Sequence, residues 1–205
     1  METAEARQSL VRDFVLVANQ SNVLPLSDYF SQYVKAGGEA DVDDFRLVPL
    51  TPPSLRFLMT TSDCLTDCMF ELQSRYQQFI PSDWGGHMEK GWRDLAVIGF
   101  NVESGPVLEI EEVQRTTGYP EWAEPKWSAL NWSQLLIRAV IEFGRACGAR
   151  QVHLIPASRY PLGRDEQNSA ALLTELQQHY DDSARAMGFE YDSNRDRFTL
   201  VLQPD

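Results

Sequence analysis

Two adjacent carboxylates, Glu111 and Glu112, close the strand-like run Val107-Leu-Glu-Ile-Glu-Glu-Val113. Successive side chains on a strand point to opposite faces, so both can face the same way only where the strand bulges. Without a bulge they are a solvated strand edge. Arg159 and Arg164 flank Tyr160-Pro-Leu-Gly163, just after a second apolar run. Loops leaving strand C-termini line ligand crevices in mixed sheets, and two guanidiniums there can hold a phosphate or carboxylate. Ordinary solvated surface is the plainer use for them.

Cys64 and Cys68 stand four apart, which on a helix places them on one face, with His87 further along. The short Cys-x-x-Cys knuckle and a second ligand pair are both missing, so the thiols are read as buried small hydrophobes and no metal is expected. Cys147 closes a helical pattern and is read as core. His153, inside an apolar strand pattern, and His179, on a helix, are read as structural; His87, beside Gly85-Gly86, is the freest. Ser128 and Asn131 suit the start of the next helix, where Asn131-x-x-Gln134 is a variant of the capping box. Trp84, Trp92, Trp122, Trp127 and Trp132 fall in or beside loops, an interface if exposed and core if packed.

These groups need elements to position them. Thr3 to Gln20 carries Leu10, Phe14, Val17 and Ala18 at helical spacing. A shorter helix is predicted from Ser27 through Tyr33 and Val34 to Gly37-Gly38. Phe45-Arg-Leu-Val-Pro-Leu50 reads as a strand, and Pro52-Pro53 bars ladder pairing beyond it. A boundary is placed near residue 41, giving an N-terminal helical extension over 1–40 and one domain over 41–205. From Ser54 onward Leu55, Leu58, Met59, Leu65, Met69, Leu72 and Tyr76 recur at helical spacing, so a helix is predicted there. Pro81 to Met88 is turn chemistry. Leu95 to Phe100 and Val107 to Val113 form a predicted antiparallel hairpin. Leu135 to Cys147 is a helix with Gly148 as its C-terminal stop, and a buried interior strand follows at Gln151 to Pro156. Ala170 to Ala186 is one long helix closed by Gly188, and Phe189 to Asp192 pairs with Arg197 to Leu202. Strands flanked by helices make a mixed-sheet α/β or α+β domain.

Composition sets the outer bounds. A chain of 205 residues with 43% hydrophobic content can bury one sizeable core. No apolar run reaches the roughly 20 residues of a membrane helix, and Met1-Glu-Thr-Ala-Glu lacks signal-peptide character, so a cytosolic protein off the membrane is expected. Three cysteines, an odd count, read as reduced thiols. A formal charge of −12 repels phosphate backbones and argues against nucleic acid as a partner. It leaves room for a cationic one.

From about Phe45 to the C-terminus the order of elements resembles the Gcn5-related N-acetyltransferase (GNAT) fold. The matching residues are Phe45-Arg-Leu-Val-Pro-Leu-Thr51, the hairpin ending in Leu108-Glu-Ile-Glu-Glu-Val113, Leu135-Leu136 in the helix after it, and Ala184-Arg-Ala-Met-Gly-Phe189 before the closing strands. The resemblance implies a GNAT-like mixed, mostly antiparallel sheet flanked by helices, and a divergent acyl-CoA-dependent N-acyltransferase. It would use acetyl-CoA or another acyl-CoA on an amine, with Glu111 or Glu112 as general base and Tyr180 as general acid. It also places Val113 and the N–H groups around Ser128, Asn131 and Ser133 against the cofactor. Two departures matter. The family's glycine-rich turn lets bare N–H groups reach a pyrophosphate at a helix N-terminus, whereas this chain has Trp127-Ser-Ala-Leu-Asn-Trp132 there. The family's tyrosine position falls on Ala184, one helical turn after Tyr180. The two indoles are predicted to obstruct the cradle and to hold the acetyl-CoA Kd no tighter than roughly 0.1 mM. The rival reading is a non-catalytic GNAT-like module that holds a protein or small ligand.

Overall fold

The structure is a computed structural model and describes residues 26–36, 38, 40–50, 66, 68–74, 92–103, 106–115, 130–160 and 170–203. Among these residues the strands are β1 (Phe45–Leu50), β2 (Cys68–Ser74), β3 (Arg93–Glu103), β4 (Val107–Arg115), β5 (Gln151–Leu154), β6 (Glu190–Asp192) and β7 (Arg197–Val201). They form one seven-stranded sheet in the order β1-β2-β3-β4-β5-β7-β6. Every neighbouring pair is antiparallel except β4 with β5, which run parallel with Glu109 opposite His153. A parallel pair needs a crossover, and α1 (Trp132–Ala146) lies in it. This is a mixed, mostly antiparallel α/β architecture, as expected of the chain.

The sequence explains why α1 sits where it does. Leu135, Leu136, Ala139, Val140 and Phe143 recur at helical spacing, and all five are at most 1% exposed. The Phe143 ring lies 6.0 Å from that of Phe70 on β2 and 5.7 Å from that of Phe100 on β3. Burying each large side chain of this stripe contributes about 1.5–3 kcal/mol relative to exposure. The helix ends where Gly148 takes φ +72°. Its N–H reaches the Arg145 carbonyl, and that of Ala149 reaches Gly144, the paired closure that a left-handed glycine permits. Among the described residues no helix is long and apolar enough to cross a membrane.

Two expectations are corrected. Residues 68–74 are a strand, not part of a helix, and every one of them is buried. Met69 and Leu72 stand three apart, as on a helix, but a short apolar run does not fix its own period, and pairing with β1 and β3 on both sides decides it. Alternation then sends Cys68, Phe70 and Leu72 toward α1, and Met69, Glu71 and Gln73 to the opposite face. Of the rest of that predicted helix only Thr66 is described, and it is not helical; Thr3–Gln20 lies outside the described residues.

The predicted helix from Ser27 is instead two 3-10 turns, Leu26–Asp28 and Phe30–Tyr33. Val34 leaves in an extended conformation and bridges to Leu130, because the Tyr33 carbonyl is drawn to the Asn131 N–H at 2.8 Å. Leu26, Tyr29, Phe30 and Tyr33 join the same apolar core as the sheet.

The last long helix runs from Ala170 to Ala186 as expected, with a π turn inside it. α2 (Ala170–Gln177) passes through a π turn, Gln178–Asp182, into α3 (Ser183–Ala186), and Gly188 at φ +84° closes it. The following strands, β6 and β7, form the terminal hairpin as expected.

Candidate functional site

The pairing of β3 with β4 slips by one residue near the middle of the sheet. Phe100 lies opposite Ile110 and Gly99 opposite Glu112, which leaves Glu111 with no counterpart on β3. This bulge is what allows Ile110 and Val113, at 0% and 3% exposure, to share the α1 face with Ile98 and Phe100. The extra residue is therefore set by the apolar phase of the strand, and its by-product is that Glu109, Glu111 and Glu112 gather on the polar face. The condition that two adjacent carboxylates need in order to point the same way is met here. Gly99 is fitted to this spot: a Cβ built on it would come within 2.7 Å of the Thr66 hydroxyl and 3.3 Å of the Glu112 Cβ.

Glu112 is buried, Glu109 is nearly so, and Glu111 is half-buried. Burial, and after it the charge of Glu109, raise the proton affinity of the Glu111 carboxyl above its ordinary value. A hydrogen bond from the Asn101 side chain opposes this, Glu103 reinforces it, and Arg159 opposes it. Arg159, read chiefly as solvated surface, has its charge in range of Glu111; Arg164 lies outside the described residues.

Beside the bulge the sheet opens. β5 ends at Leu154, and the last bond across to β4 is Ile155 N–H to the Ile110 carbonyl, 3.1 Å. β4 continues to Arg115 paired with β3 only. Two consecutive residues of the π turn hold the parting strands. The Tyr180 hydroxyl accepts the Val113 N–H at 2.9 Å, and the Asp181 carboxylate accepts the Ala157 N–H at 2.9 Å. Both acceptors lie in the π turn, and such turns are frequent at functional sites. Tyr180 is fully buried against Tyr160.

The start of α1 borders the same region. Asn131 occupies the cap position, but its side chain makes no capping hydrogen bond, so the capping-box reading fails; its backbone is tied to Tyr33 instead. Ser133 is buried with its hydroxyl 2.9 Å from that of Ser183. Ser183 gives its own proton to the Gln178 carbonyl, so Ser133 is the donor between them. Trp132 is 7% exposed, with its ring 4.4 Å from that of His179. Its indole is buried beside that ring; Trp127 and Ser128 lie outside the described residues. The first-turn N–H groups of Trp132, Ser133 and Gln134 have no carbonyl partner within the helix.

Of the other candidates, Cys68 is fully buried in β2 and Cys147 packs partly buried against the core, while Cys64 and His87 lie outside the described residues. Among the described residues no group of three or more His, Cys, Asp or Glu side chains is disposed for a metal ion. His153 and His179 are both held below their ordinary proton affinity, chiefly by burial.

Sequence reasoning missed Glu109, Asn101 and Asp181. A signal for the first existed, since Leu108 and Ile110 alternate with Glu109 and Glu111, and the hairpin register then brings Asn101 opposite Glu109. Nothing local marks Asp181, because its role depends on the π turn.

No protein-family model matches the chain, and no curated protein is similar to it in sequence. Among solved structures it is similar to an IAA acetyltransferase from Bacillus cereus ATCC 14579 at 11% identity, covering 77% of this chain and 99% of that one with a TM-score of 0.38. A domain from Methanocaldococcus jannaschii DSM 2661 matches at 10% identity over 98% and 94% of the two chains, TM-score 0.39. A probable GNAT-family acetyltransferase from Chromobacterium violaceum ATCC 12472 matches at 14% identity over 90% and 83%, TM-score 0.33. At these scores the neighbours carry no weight for the chemistry of this chain, whose fold stands on its own strand order.

Proposed function

We propose that the protein is a divergent acyl-CoA-dependent N-acyltransferase acting on a small-molecule amine, with Glu111 as the general base. The observation that carries this reading is the β4 bulge. It puts a half-buried carboxyl of raised proton affinity beside a second carboxylate and next to the point where β4 and β5 part. A general base works best with a proton affinity brought up toward the working pH, and a burial-raised carboxyl meets that need. Glu109 and Glu112 lie on the same face as Glu111, and the net charge of −12 is in keeping with a protonated amine as substrate.

Acyl-CoA would supply the activated acyl thioester. The start of α1 would meet its phosphates with the first-turn N–H groups, which have no carbonyl partner within the helix, and with the helix dipole. The fit excludes the Ser133 hydroxyl, which is spent on Ser183, and the Asn131 N–H, which is spent on Tyr33. Glu111 then takes one proton from the ammonium substrate and leaves a neutral amine, while Asn101 keeps the carboxylate oriented. Tyr180 holds β4 through Val113 at the parting of the strands, and as general acid it would have to act from that buried position.

The second reading, a non-catalytic module for a protein or small ligand, is favoured by one observation: Val113, Asn131 and Ser133 all have a donor already committed within the protein. Calorimetric titration with acetyl-CoA, followed by thiol-release assays against a panel of small primary amines, separates the two. Binding with turnover on at least one amine supports the transferase. Absence of any acetyl-CoA binding at millimolar concentration leaves the module.

A further inference from the structure

The polar face of the sheet carries a second group of charges that the proposed reaction does not use. Arg197, on β7, has Nη1 2.8 Å from Glu109 Oε1 and 3.2 Å from His153 Nδ1. His153 Nε2 lies 3.1 Å from Gln151 Oε1. An arginine has only donors, so His153 must accept at Nδ1 and carry its proton on Nε2, where Gln151 accepts it. The ring is 4% exposed. Arg197 is thereby clamped between a neutral imidazole on one side and the Glu109 carboxylate on the other, across three adjacent strands.

We propose that Arg197 is a positioning residue for the carboxylate site: seated by the neutral ring of His153, it holds the Glu109 carboxylate toward β7 and so sets how strongly Glu109 acts on Glu111. The inference rests on the reading of Glu111 as a base. Register supports it independently, because Glu109 lies opposite both Asn101, which bonds Glu111, and His153, which holds Arg197. Glu109 is therefore the element shared by the two clusters. With Arg197 in place, Glu109 Oε1 is held 2.8 Å from its guanidinium. With Arg197 gone, Glu109 is released and its charge acts on Glu111 more strongly.

Other charges enter the same balance. Arg195 and Arg197 oppose protonation of His153, while Glu103 and Asp192 favour it. Glu103 and Arg159 also act on Glu111, in opposite directions. A protonated His153 would have no lone pair for Arg197 and would repel it, so the clamp holds only while the ring stays neutral.

The test is a titration of the Glu111 side-chain carboxyl by NMR in the full-length protein, which needs neither acyl-CoA nor an amine. It is run on the parent, Arg197→Gln, Arg197→Lys, Glu109→Gln and the Arg197→Gln/Glu109→Gln pair. Arg197→Gln should move the Glu111 midpoint upward, Arg197→Lys should move it less, and Glu109→Gln should move it downward. Adding Arg197→Gln to Glu109→Gln should then change nothing further, since Arg197 acts through Glu109. In the enzyme, the acid limb of kcat/KM should follow the same order. A midpoint unmoved in folded Arg197→Gln, or moved equally in the Glu109→Gln background, overturns the proposal. Should Arg197→Gln not fold, a Glu109→Gln midpoint that fails to fall overturns it as well. If the midpoints move as stated while no amine is acylated, the transferase reading fails and the positioning role stands.

Discussion

Val113, on a strand that has outrun its neighbour, gives its N–H to the hydroxyl of Tyr180, a residue on a helix far along the chain, at 2.9 Å. Both partners are buried, so neither has water as a substitute. Tyr180→Phe should cost about 1–3 kcal/mol by leaving that N–H unsatisfied, read as a lower denaturation midpoint. The general-acid role for Tyr180 requires more: a fall in kcat measured under conditions where the variant is fully folded. A variant that is less stable but turns over normally would confine Tyr180 to holding the strand.

Replacing the base tests the bulge directly. Glu111→Gln should lower kcat roughly 10²- to 10⁴-fold on any amine the parent accepts, the usual contribution of a positioned proton acceptor. Acetyl-CoA affinity should hold steady, because Glu111 faces the amine side. An equal loss of cofactor binding would point to a collapsed site.

Trp132 is core, 7% exposed and seated against His179. Trp132→Ala should therefore destabilise the protein by about 3–5 kcal/mol and leave acetyl-CoA binding no tighter. Calorimetry that found tighter binding in a stable variant would support the obstruction argument for this indole.

Acid should weaken the fold before it touches most carboxylates. His153 and His179 have folded-state proton affinities below their ordinary value of 6.5, burial being the main cause in each. The unfolded chain then binds more protons than the folded one, so stability falls as pH drops through 6.5 and levels off below the folded values. Glu111 works the other way, since its raised affinity makes protonation favour the fold as pH falls toward its ordinary value of 4.5. Thermal melts between pH 7.5 and 5, with roughly constant ionic strength, should show a declining midpoint. His153→Gln should flatten part of that decline; an identical slope would exclude His153 from it.

Elements with a clean period and a local stop were legible in the sequence. The hairpin of β3 and β4, the buried stripe and terminal glycine of α1, the interior strand β5 and the closing hairpin all came from patterns within a dozen or so residues. β2 was not legible, because Met69 and Leu72 fit a helix as well as a strand until β1 and β3 flank them. The carboxylates of the site were visible as residue types, and the bulge was visible as a condition they required. Arg197 and Asp181 were not, since one reaches Glu109 only through the pairing of β5 with β7 and the other reaches Ala157 only because a helix carries a π turn.

The bulge also bears on how easily this chain could change character. Glu111 is the one residue of β4 without a counterpart on β3, so excising it would leave Ile110 opposite Phe100, Glu112 opposite Gly99 and Val113 opposite Ile98, each on the face it occupies now. A single codon lost at this position would remove the proposed base and disturb no other cross-strand pair between these strands. Gain of the same codon would run the path backward. The distance between a reactive sheet and an inert one is thus a matter of chain length at one site, and the hydrophobic interior of the protein is indifferent to the outcome.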